Sequence, residues 1–114
     1  MNPLIDDHRT CDHLKGRSKG IILSVVTAVA EIRGVDPRAM FGRNRGNWKV
    51  AGAKSMAMGI CGYLGVPICH VARAFGRDWS TVYSAEMTCS RRYRNSSAFR
   101  LEWDNITAIH EKPE

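Results

Sequence analysis

The sequence predicts an all-α fold, a compact multi-helix domain, on three observations. Apolar residues recur at three- and four-residue spacing in successive stretches, which is the period of a helix face. Glycine closes most of these stretches, with proline sometimes just beyond it, as helix ends require. No stretch alternates apolar and polar residues as a half-buried strand would, and no internal repeat is present.

In chain order, residues 1–17 mix charged and small polar groups without a period and read as a flexible arm, with one domain over 18–114. SKGIILSVVTAVAEIRG then places Ile22, Val25, Val26, Val29 and Ile32 on one helix face and stops at Gly34. Asp36 and Pro37 suit the cap and first residue of a short helix ending at Gly42. GRNRGNWKVAG, 42–52, is glycine-rich and basic and reads as a loop. A helix from about Gly52 to Leu64 follows, with Ala53, Met56, Ala57, Ile60, Cys61 and Leu64 on one face. Gly59 and Gly62 weaken it by about 1 kcal/mol each relative to alanine unless close packing needs them. After Gly65, a short helix from Pro67 to Phe75 carries an inward stripe of Ile68, Val71, Ala72 and Phe75. Gly76 ends it, and Asp78 starts another running through Val82, Ala85 and Cys89 to about Tyr93. A last helix, Ser97 to about His110, turns Phe99, Trp103, Ile106 and Ile109 inward.

The 114 residues carry 17 Lys and Arg against 11 Asp and Glu, a net charge of +6 that favours acidic partners such as nucleic acid. The excess is concentrated in the middle. Arg38, Arg43, Arg45, Lys49 and Lys54 stand against one acid between Asp36 and Lys54, whereas the segment after Asn95 is mildly acidic. The four cysteines have no disulfide-framework spacing, and Cys61, Cys69 and Cys89 fall on apolar helix positions, so reduced core thiols are expected. The polar N-terminus lacks the apolar core of a signal peptide, and no apolar run approaches a membrane span. The expectation is a cytoplasmic, nucleoid-associated protein with no membrane partner.

Two helices joined at Gly76 and Arg77 have the shape of a helix-turn-helix, whose second helix lies in the major groove. The residues at its mouth suit that task. Asp78 can accept from the exocyclic amine of cytosine, Ser80 and Thr81 can bond bases or phosphates, and the Thr81 methyl can meet a thymine methyl. Arginine in a glycine-rich loop suits the narrow, electronegative minor groove. The bland alternative is that Asp78 caps its helix and the arginines are a solvated face.

ARAFGRDWSTV, with the upstream KSMAM, resembles the C-terminal DNA-binding domain of the bacterial replication initiator DnaA over about Ile21 to Arg94. Phe75, Gly76, Arg77, Asp78, Ser80, Thr81 and Val82 agree in register with that family's signature. The resemblance implies binding of short asymmetric duplex sites, with Asp78, Trp79, Ser80 and Thr81 on base edges. It implies a phosphate near Arg77 and aligns Lys54 with a basic family position. Lys49, within the basic loop, joins them as a phosphate candidate. The minor-groove role falls on Arg43 or Arg45. Trp79 stands where the family usually has histidine, and no GxxxxGK[ST] phosphate loop occurs, so the nucleotide-dependent motor of an initiator is missing.

The sequence therefore predicts a stand-alone, non-enzymatic binder of double-stranded DNA with no cofactor and no bound nucleotide. It would regulate replication initiation or transcription, beside an initiator or another regulatory protein. The alternative is a protein-interaction module using Trp48, Trp79 and Trp103 as anchors. His8, Cys11 and His13 supply only half of a metal-ligand set, and no metal is expected.

Overall fold

A computed structural model describes the backbone of residues 3–41 and 48–110 and the side chains of 18–41 and 48–110. The described residues form five α-helices, α1 (Pro3–Arg33), α2 (Trp48–Tyr63), α3 (Ile68–Phe75), α4 (Trp79–Asn95) and α5 (Ser97–His110), with a 3₁₀ turn at Pro37–Met40. There is no strand among them. The all-α, multi-helix class is that of the sequence reading.

α2 is the central element and packs against every other one. Its residues Val50, Ala53, Met56–Cys61 and even Lys54 are buried, so it lacks the polar face of a surface helix. α1 contributes Val25, Val26 and Val29 to the same core, α3 Val71 and Phe75, α4 Val82, and α5 Ile106. Gly59 lets α4 and α5 come close to α2. A Cβ built there would lie 2.7 Å from Cys89 Sγ and 3.3 Å from Trp103 Cη2. Close packing thus answers the weakness that glycine brings to this helix. An ion pair from Arg33 Nη2 to Glu102 Oε1, 3.0 Å, ties α1 to α5.

Several boundaries differ from the sequence reading. α1 begins at Pro3, so position 18 is not an element boundary. Proline suits the first helical position, but no apolar period announces the start. α2 begins at Trp48, which makes the second half of the expected 42–52 loop helical; residues 42–47 lie outside the described ones. Ile32 and Ile109, expected inside, are exposed at the ends of their helices. Cys61 and Cys89 are free and buried, whereas Cys69, expected as a reduced thiol, is disulfide-bonded. Burial pushes the Cys61 thiol up to about 12 and Cys89 to about 11, which keeps both protonated and unreactive at neutral pH.

Candidate nucleic-acid interface

The turn between α3 and α4 is built by its own backbone. Gly76 adopts φ 61° and ψ 37°, the left-handed conformation that glycine takes without a Cβ penalty. The Arg77 N–H then bonds to the Ala72 carbonyl at 2.9 Å, closing α3 in a Schellman arrangement. Asp78 follows in an extended conformation, and its carbonyl accepts from the N–H groups of Thr81 at 3.0 Å and Val82 at 3.2 Å. Val82 and Ala85 are buried, which fixes the angle at which α4 leaves the turn.

Asp78 occupies the N-cap position, as its sequence context predicted, yet its side chain makes no capping hydrogen bond. A capping aspartate normally accepts from the second or third amide of the helix. Here neither carboxylate oxygen is bonded to any of the described residues, and the residue is exposed. Trp79, 55% exposed, and Ser80 and Thr81 share that exposure. Four groups of different hydrogen-bonding character are therefore exposed around the first turn of α4.

The helix period sorts what lies beside them. At 100° per residue, Thr81, Thr88 and Arg92 run along one side of α4, and Trp79, Glu86, Ser90 and Tyr93 along the other. The first side faces a cleft of about 550 Å³, lined by Arg33, Trp48, Lys49, Ser55, Thr88 and Arg92 among others. Lys49 and Arg92 are exposed there, so two cations from different helices share one concave surface with the Thr81 side of α4. Of these, Arg33, Ser55 and Thr88 were not assigned to a site from sequence, and Trp48 only as an anchor for a protein partner. Their proximity arises from the way α2 packs on α1 and α4, which leaves no mark in any of these segments.

The remaining expected residues are placed differently. Arg77 is half-buried within the turn. Lys54 is only 3% exposed, and burial and then the nearby Arg77 guanidinium hold its ammonium below the ordinary lysine range. That position differs from the exposed one a phosphate-contacting lysine needs. Arg43 and Arg45 lie outside the described residues, as do the side chains of His8, Cys11 and His13. No group of three or more metal-ligating side chains comes together among the described residues. None of the described helices is long and apolar enough to cross a membrane.

No protein-family model matches this chain, and no curated protein is significantly similar to it.

Proposed function

We propose that the chain is a sequence-specific binder of duplex DNA that docks the first turn of α4 in the major groove. It would regulate replication initiation or transcription. The observation that carries the proposal is the Asp78 carboxylate. It is exposed and makes no capping hydrogen bond or other bond to the described residues, at the head of a helix whose next three residues are exposed as well. An acceptor-only group beside two hydroxyls and an indole N–H is the kind of set that distinguishes base-pair edges. The net charge of +6 and the Lys49–Arg92 cleft supply cations for phosphates on the Thr81 side. The resemblance of FGRDWSTV to the initiator signature points to the same turn.

Salt dependence tests the proposal. Neutralising about five phosphates gives a slope of about −4.5 in log affinity against log salt, from about −0.9 per phosphate. No duplex binding at low salt, or a flat response, would overturn it.

A second reading is favoured by one specific observation. Trp79, Tyr83 and Met87, all more than half exposed, stand at four-residue spacing along α4. An apolar stripe of that kind also suits a protein partner. Loss of a protein complex on Tyr83→Ala, with no duplex binding by the wild type, would favour this reading.

A further inference from the structure

A second cleft, of about 690 Å³, opens between α2, α4 and α5 on the Trp79 side of α4. Its volume is that of a small-molecule site. Three aromatic rings line it. Trp103 lies at the centre, with Tyr63 edge-on at 5.9 Å and Tyr93 edge-on at 6.3 Å between ring centroids. The charged lining residues are Glu86, Asp104 and Arg94. The cleft is thus net acidic within a chain of charge +6.

The carboxylates are not equivalent. Asp104 accepts a hydrogen bond from the Tyr93 hydroxyl at 2.9 Å, and Arg100 lies over a face of the Tyr93 ring at 5.5 Å. Glu86 has no hydrogen bond or ion pair with any described residue, although it is half-buried. It leans on Gly62, where a Cβ would overlap its carboxylate. Gly62 belongs to the last turn of α2, which carries no basic residue. A helix C-terminus presents partial negative charge, so an acid there is disfavoured unless a cation joins it. Removal from water adds to the cost and raises the Glu86 carboxyl above its ordinary value. An unpaired carboxylate, an uncompensated helix end and an aromatic wall form the complement of one chemical class. A cation with an apolar body satisfies the first two with its charge and the third with its surface.

We propose that this cleft binds a small organic ammonium bearing an aromatic or apolar group. The ammonium donates to Glu86 beside the end of α2, and the apolar body lies against Trp103 and Tyr63. The site is separate from the first turn of α4 and does not depend on DNA binding.

The test uses the full chain, with phenethylamine as the cationic probe and 2-phenylethanol as its uncharged counterpart. The indole N–H resonance of Trp103 is followed by NMR. Phenethylamine should shift it saturably, and 2-phenylethanol should bind at least about tenfold more weakly, the scale of one hydrogen bond to a charged group. Glu86→Gln should remove that preference while leaving the alcohol's weak binding in place. Gly62→Ala, which displaces the carboxylate without removing it, should reduce the preference as well. The proposal is overturned by equal binding of the two probes, by an absence of saturable shift, or by a Glu86→Gln protein that still prefers the amine.

Discussion

Asp78→Asn separates the role of that residue in DNA reading from any role in the fold. The substitution keeps the side-chain shape and removes the charge. Because the carboxylate makes no capping hydrogen bond, the stability at risk is its attraction to the N-terminal end of α4. For an exposed group that is about 0.3–1 kcal/mol, and asparagine is itself a favoured N-cap residue. Unfolding in urea should therefore show a loss below about 1 kcal/mol. The effect on DNA should be larger and local. Aspartate accepts from the N4 amine of cytosine, whereas asparagine pairs with N6 and N7 of adenine. At one base pair, preference should move from cytosine toward adenine by about 1–3 kcal/mol, roughly 5- to 150-fold in relative affinity. Competition binding over a panel of duplexes varied at single positions measures this. A stability loss above about 2 kcal/mol would show that the carboxylate holds the helix. An unchanged base preference would show that it reads nothing.

Other outcomes follow from neighbouring positions. Gly59→Ala should destabilise the protein by up to about 2 kcal/mol in urea unfolding. Crowding Cys89 and Trp103 costs more than the gain of about 1 kcal/mol in helix propensity. Gly62→Ala meets only the mobile end of Glu86 and should be neutral or stabilising by the same measurement. Because the Glu86 carboxyl is raised in the folded state, the folded protein binds more protons than the unfolded chain just above the ordinary glutamate range, and stability falls as pH rises through that window. Glu86→Gln should flatten this part of the stability–pH curve, read by urea unfolding at several pH values. Trp79→His should shift a selected-site profile by about 1 kcal/mol or more at base pairs facing the first turn of α4, since imidazole donates or accepts where indole only donates. DNA affinity should be the same with and without ATP and Mg²⁺, since no phosphate loop is present.

The helix order and most of the core were legible because burial imposes a period. Val25, Val26, Val29, Val71, Phe75 and Ile106 were recognised as inward-facing, and they are. The turn was legible for a different reason, since Gly76 followed by an N-cap aspartate is a local signal that needs no partner. What escaped was whatever depends on a neighbouring helix or on no burial at all. α1 extends to Pro3 through residues with no apolar stripe, and α2 starts at Trp48 inside a run that its glycines marked as loop. Ile32 and Ile109 keep the period but lie beyond the reach of the core. Lys54 reads as a surface cation in any single-sequence view, because only the packing around α2 buries it. The Lys49–Arg92 cleft and the Glu86–Trp103 cleft both join residues far apart in the chain, so their composition could not be assembled from spacing.

Selection of duplexes from a random library by the purified chain tests DNA reading by α4 most directly. An enriched asymmetric motif is expected, with Asp78→Asn changing it at one base pair and Trp79→His at positions facing the first turn. A library that emerges unenriched after repeated rounds at low salt would contradict sequence-specific recognition, and the exposed first turn of α4 would then be assigned to a protein partner.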